Sequence, residues 1–193
     1  MKKLVALILC LMLCLPALAL AETAQPAWYD IDFGPFSILL KDTDAYQVAG
    51  ETPADGQVFA QIIPDYDPNA LMPDNINFVW SNGDDTNLIR LAGPEAYAEA
   101  VLSNILQNLQ AYGIKVLESA VLGANHDSNL LTITTRVKLD YTAAGIDVVT
   151  EQYQTQVYYC FGEKGTWIVT LTSTTADGLL SLCDYLVMLN FAQ

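Results

Sequence analysis

The cleanest alternation of apolar and polar positions in the chain runs through "LLTITTRVKLDY", residues 130–141. Leu131, Ile133, Val137, Leu139 and Tyr141 alternate with Thr132, Thr134, Arg136, Lys138 and Asp140. A period of two is that of a strand with one buried face and one wet face. The following segment repeats it, with Val149, Tyr153, Val157 and Tyr159 on one side and Gln152, Gln154 and Gln156 on the other. A third strand, "GTWIVTLTS", follows a tight turn at 162–165. Pairing these strands with their apolar faces together predicts that the Thr row and the Gln row share one face. Shorter strands are predicted upstream at 28–33 and 36–40, broken at Gly34-Pro35, and at 57–63 and 77–81, the last followed by a turn at "SNGDDTN".

Between these two groups of strands the period changes. Over 94–112, Ala98, Val101, Leu102, Ile105, Leu109 and Tyr112 recur at helical spacing, with Pro94 suited to the first turn and Gly113 to a left-handed stop. A second helix is predicted from a Thr174 or Thr175 cap through Leu189, with Asp177 near its positive end. It is apolar on most sides and is expected to be largely buried. The pattern as a whole predicts an α+β domain: an antiparallel sheet flanked by a long amphipathic helix and a C-terminal helix.

The N-terminus changes the picture of where the protein works. Lys2 and Lys3 precede an uninterrupted apolar run at 4–15, Pro16 breaks it, and Ala19 and Ala21 place small residues before Glu22. This is the layout of a cleaved secretory signal peptide, too short to cross a bilayer comfortably. Cleavage is expected between Ala21 and Glu22, leaving a short leader at 22–27 and a single domain at 28–193. Cys10 follows Leu9 and Cys14 follows Leu13, where lipidation requires a small residue, so no lipid anchor and no stable membrane attachment is expected. Without Lys2 and Lys3, six basic residues face 22 acidic ones, a formal charge of −16. Such a surface repels nucleic acid and anionic lipid. The mature chain retains Cys160 and Cys183. Outside the cytoplasm the two either pair, closing a loop worth about 3 kcal/mol, or remain two buried thiols.

The order of elements, with "FGPFSILLKDTDAYQVAG" as a first hairpin, "PEAYAEAVLSNILQNLQAYG" as a long helix and "GTWIVTLTST…LLSLCDYLVMLNF" as a last strand and closing helix, resembles the PsbP/Mog-like α/β/α sandwich superfamily. The resemblance covers nearly all of the mature chain and is one of pattern and order, without a signature motif. It implies a scaffolding or binding role with no shared catalytic motif; fold alone is a weak warrant for function. Cystatin- and NTF-like folds, the alternatives, place helices before the sheet.

Few residues carry candidate chemistry. In "PDYDPNALMPDN", Asp65, Asp67 and Asn69 match the first three ligand positions of a calcium loop, but Ala70 and Ile76 stand where glycine and a bidentate carboxylate are needed. The stretch reads better as a loop turned by Asp, Asn and Pro, and no cofactor is expected. The single histidine, His126, has no spaced partner ligands and reads as an exposed turn residue. The remaining candidate is a ligand-binding sheet face of Thr132, Thr134, Arg136, Lys138, Gln152, Gln154 and Gln156, suited to a glycan or an extended acidic peptide. The expected function is a secreted, non-enzymatic binding or scaffolding domain recognising an extracytoplasmic protein or glycan. The alternatives are a small hydrolase with an unidentified carboxylate pair and a calcium-dependent binding module.

Overall fold

Alternation along the strands builds two hydrophobic cores, one on each face of a single large sheet. The computed structural model describes residues 26–83 and 91–192. The segment read as a signal peptide, most of the leader and the second half of the turn after Ser81 lie outside the described residues. In chain order the elements are β1 (Trp28–Asp32), β2 (Phe36–Lys41), β3 (Ala45–Val48), β4 (Val58–Ile63), β5 (Asn75–Ser81), α1 (Pro94–Ala111), β6 (Lys115–Asp127), β7 (Leu130–Asp140), β8 (Val149–Cys160), β9 (Thr166–Ser173), α2 (Ala176–Val187) and β10 (Leu189–Phe191). Seven strands form one antiparallel sheet in the order β3-β4-β5-β9-β8-β7-β6, and β1-β2-β10 form a smaller one.

The larger core lies between the small sheet with α2 and one face of the large sheet. Phe36, Ile38 and Leu40 of β2 meet Ile76 and Phe78 of β5, Trp167, Val169 and Leu171 of β9, and Leu179, Leu182 and Tyr185 of α2. Phe36 stacks on Phe78 with ring centroids 4.4 Å apart. The second core lies on the opposite face, where Ala98 and Leu102 of α1 pack on Leu131, Ile133, Val137 and Leu139 of β7. The two coverings are offset. The small sheet and α2 lie over the β4-β5-β9 end of one face, and α1 lies over β6 and β7 on the other.

The predicted helix starts hold, as does the stop of α1. Pro94 opens α1, and Gly113 adopts φ 74° just past its end. Thr175 caps α2, its Oγ1 accepting a hydrogen bond from Gly178 N at 3.0 Å. Other features differ from expectation. The stretch read as one hairpin, 33–50, splits between sheets: β2 pairs with β1 and β10, whereas β3 pairs with β4. A tight corner, in which Asp44 N donates to Lys41 O and Asp44 Oδ2 accepts from Lys41 N, turns the chain from one sheet to the other. The closing helix stops at Val187, and 189–191 pair with β2 as β10. Leu180 and Val187 are exposed on α2, so that helix buries one stripe rather than most of its surface. His126 lies in β6, opposite Leu131, and the turn that follows is made by Ser128 and Asn129.

Candidate functional site: two half-open sheet faces

Because the two coverings are offset, each face of the large sheet is open at the end its own helix does not reach. The register decides which side chains occupy these areas. In the β7–β8 pair, Thr132 lies opposite Val157, Thr134 opposite Thr155, Arg136 opposite Tyr153 and Lys138 opposite Glu151. Residues directly opposite share a face. Gln156, Gln154 and Gln152 instead lie opposite Ile133, Thr135 and Val137, on the α1 side. The expected shared face of the Thr/Arg/Lys row and the Gln row is therefore corrected: the two rows are on opposite faces.

The cause is the connection at 141–148. Tyr141 N donates to Val148 O, and Ile146 N donates to Tyr141 O. This loop sets an even-numbered residue of β7 against an odd-numbered one of β8, and one residue more would reverse every side chain. Alternation alone misled because the apolar residues of the two strands serve different cores. Leu131 and Ile133 pack under α1, while Tyr153 and Tyr159 pack on the α2 side.

On the α2 side, beyond the reach of α2, the Thr/Arg/Lys row forms a network compensated in charge. Arg136 lies 3.6 Å from Glu118 and 4.0 Å from Glu151, and Lys138 lies 3.8 Å from Glu118. Tyr153 donates to Glu151 at 2.8 Å, and this bond is the first cause of its hydroxyl's raised pKa. The hydroxyls of Thr134 and Thr155 are 3.0 Å apart. Both cations are thus already engaged with carboxylates, which weakens this row as a site for an acidic peptide.

The α1-side face is different in kind. Gln47, Gln61, Asn77, Thr170 and Gln156 are successive partners across β3, β4, β5, β9 and β8 and form one continuous row. Asn75, Thr172 and Gln154 form the next row. Gln47 Nε2 donates to Gln61 Oε1 at 2.7 Å, Asn77 Nδ2 to Asn75 Oδ1 at 3.0 Å, and Tyr158 Oη to Gln156 Oε1 at 2.7 Å. Asn77 Oδ1 is buried without a hydrogen-bond partner among the described residues. No charged side chain belongs to these rows. At their end, Asn75, Tyr141, Gln152 and Thr172 line a cleft of about 180 Å³. Sequence reading found Gln152, Gln154 and Gln156 but not their neighbours. The signal was present in "NINF" and "VTLT", where amides and threonines alternate with core residues.

The loop weighed for calcium has its oxygens engaged within the protein. Asp65 accepts Lys41 Nζ at 2.8 Å and Thr43 Oγ1 at 2.7 Å, contacts that hold its carboxyl below the usual range. Asp67 Oδ1 accepts from the backbone and side-chain nitrogens of Asn69. An ion bound by Asp65 would have to displace the Lys41 ammonium, and the described residues hold no group of three or more His, Cys, Asp or Glu side chains arranged for a metal. The cysteines are also separated. Cys160 is buried under α1 beside Leu131 and Tyr158, whereas Cys183 packs against the core on the opposite face, its Sγ 3.4 Å from Leu179 O. Both are free thiols, because the sheet stands between them.

No family model matches the sequence, and no curated protein does either. Among solved structures, the chain is similar to the solution structure of cyanobacterial PsbP (CyanoP) from Synechocystis sp. PCC 6803. The TM-score is 0.50 at 13% identity, over 88% of this chain and 94% of that one. The chain has the PsbP/Mog-like fold. A second similar structure is the Ran-binding protein Mog1p of Saccharomyces cerevisiae, with TM-score 0.45 and 6% identity over 86% of this chain and 96% of that one. Within this PsbP/Mog-like fold, the two open sheet areas are set by the offset of α1 from α2.

Proposed function

We propose that the protein is a non-enzymatic binding domain that works outside the cytoplasm and recognises a neutral glycan through the amide and hydroxyl rows of the α1-side face. The N-terminal pattern of Lys2 and Lys3, an apolar run and small residues before Glu22 supports secretion. The observation that carries the binding reading is the absence of charge. Gln47, Gln61, Asn75, Asn77, Gln154, Gln156, Thr170 and Thr172 form a surface of amides and hydroxyls in a chain of 22 acidic residues. Such groups donate and accept with equal ease, as sugar hydroxyls require.

The test is affinity electrophoresis of the secreted protein through gels containing neutral polysaccharides. Retardation is expected for wild type and for Arg136→Glu/Lys138→Glu, and is expected to be lost in Gln61→Ala/Thr170→Ala. Absence of retardation by any neutral polysaccharide, or equal retardation of the Gln61/Thr170 variant, would sink the reading. A second reading, recognition of a protein by the charged face, is favoured by the network of exposed Glu118 with half-buried Arg136, Lys138 and Glu151. It predicts a partner crosslinked in cells by wild type and lost in Arg136→Glu/Lys138→Glu.

A further inference from the structure

An aromatic cleft lies on the other face of the sheet from the amide rows. It opens at the end of the small sheet and measures about 350 Å³. Its wall and floor are aromatic. Trp80 of β5 and Trp167 of β9 lie with ring centroids 5.3 Å apart, and Phe161 of the β8–β9 turn meets Phe191 of β10 at 5.4 Å. Pro35 completes the wall, and Lys164 stands at the rim.

The cleft is built rather than incidental. Its sides come from four separate parts of the chain, each pinned. Ala192 N donates to Pro35 O at 2.9 Å, holding the end of β10 to the β1–β2 turn. Phe161 N donates to Gly165 O at 2.9 Å, closing the turn that carries Phe161 and Lys164. Gly165 has φ 94°, and a Cβ there would fall 2.5 Å from Ser81 O and from the Trp80 ring, so this turn is pressed directly onto Trp80. The rings are therefore held in place before anything binds, which lowers the entropic cost of binding.

Lys164 determines the ligand's chemistry. Lys41, Arg136 and Lys138 each lie within 4.0 Å of a carboxylate, but Lys164 has no such partner among the described residues. An uncommitted cation at the mouth of an aromatic slot, in a protein whose acidic surface repels polyanions, matches a ligand with one negative charge and a flat apolar body. The volume lies at the small end for ligand sites and suits one ring system rather than a polymer. From this geometry we infer that the cleft binds a small aromatic carboxylate, its ring between Trp80, Trp167 and Phe191 and its carboxylate on Lys164. This site is independent of the amide rows, so either assignment stands if the other fails.

The experiment follows the indole N–H signals of the ¹⁵N-labelled secreted protein during titration with phenylacetate and, separately, with the neutral phenylacetamide. Trp28, beside Tyr185 at the far end of β1 and β2, is an internal control. Phenylacetate is expected to shift the Trp80 and Trp167 signals saturably and leave Trp28 in place. Lys164→Glu, an exposed substitution that leaves the fold intact, should weaken binding by about five-fold, the upper end for an exposed ion pair. Phe161→Ala should weaken it too. The proposal is overturned by the absence of a saturable shift at Trp80 and Trp167, by equal binding of phenylacetamide, or by unchanged affinity in Lys164→Glu or Phe161→Ala.

Discussion

Tyr185 of α2 donates its hydroxyl hydrogen to Asp44 Oδ2 at 2.8 Å, joining residues 141 positions apart in the chain. Asp44 sits at the corner where the chain leaves the small sheet for the large one. The same carboxylate accepts from Lys41 N at 2.8 Å and Asp65 N at 2.9 Å, so one side chain ties α2, the corner and the start of the Asp/Pro loop together. Burial, reinforced by the Asp44 bond, pushes the Tyr185 hydroxyl far above its ordinary value and keeps it a neutral donor. Tyr185→Phe is expected to cost about 1 kcal/mol, the net worth of one hydrogen bond. Asp44→Ala leaves three donors without their acceptor and should cost at least about twice as much. Urea midpoints of the two variants decide the matter, and equal losses would show that Asp44 does not organise the corner.

Asp65 makes acid stability measurable at one residue. Hydrogen bonds from Lys41 and then Thr43 lower its pKa below the ordinary 3.8. A carboxylate with a depressed folded-state pKa contributes stability that is present above the unfolded value and lost as pH falls through the folded one. The stability difference between wild type and Asp65→Asn should therefore be steady from neutral pH to about pH 4 and shrink below it. The effect is small because the side chain is largely exposed. Denaturant midpoints across that range provide the check, and a difference that persists unchanged into acid would contradict the assignment.

The two thiols should behave independently. Cys160 is buried, and burial followed by the charge of Asp184 raises the pKa of Cys183. Both reduce the thiolate that reacts. In denaturant without reductant, a thiol reagent is expected to titrate two groups per mature chain, while the native protein should react slowly, with Cys183 ahead of the more deeply buried Cys160. Failure to titrate any thiol in denaturant would mean that the cysteines are paired after all.

Two glycines with positive φ differ in both backbone region and surroundings: Gly145 is left-handed helical, with ψ 10°, whereas Gly165 has ψ −166°, a region essentially reserved for glycine. Gly145 has φ 86° with open space where a Cβ would go, whereas Gly165 has φ 94° with Trp80 and Ser81 in the way. Gly145→Ala should cost about 1 kcal/mol for the left-handed backbone alone. Gly165→Ala should cost at least about 3 kcal/mol, because its backbone region suits only glycine and the turn must also move off Trp80. Thermal midpoints that fall equally in the two variants would show that the close approach to Trp80 carries no cost.

Local chemistry made much of this fold readable in advance. Pro94 and Gly113 mark the span of α1, Thr175 caps α2, and the alternation at 130–141 gives β7 its buried row of Leu131, Ile133, Val137 and Leu139. Each is a property of a few adjacent residues. The closing helix was read too long because "LNF" continues the apolar run of α2, and only the availability of β2 as a partner draws 189–191 into a sheet.

By itself, then, the sequence determined the periods, the caps and the α+β class, since backbone geometry imposes these within a few residues. Tertiary structure alone decided which face each row serves. The 141–148 loop sets the parity between β7 and β8, and that parity sends Gln152, Gln154 and Gln156 to the face opposite Arg136 and Lys138. The same sheet keeps Cys160 from Cys183, and the meeting of four distant segments around Trp167 makes the aromatic cleft. A strand's alternation says that it has two sides, but which side meets which core depends on neighbours far away in the chain.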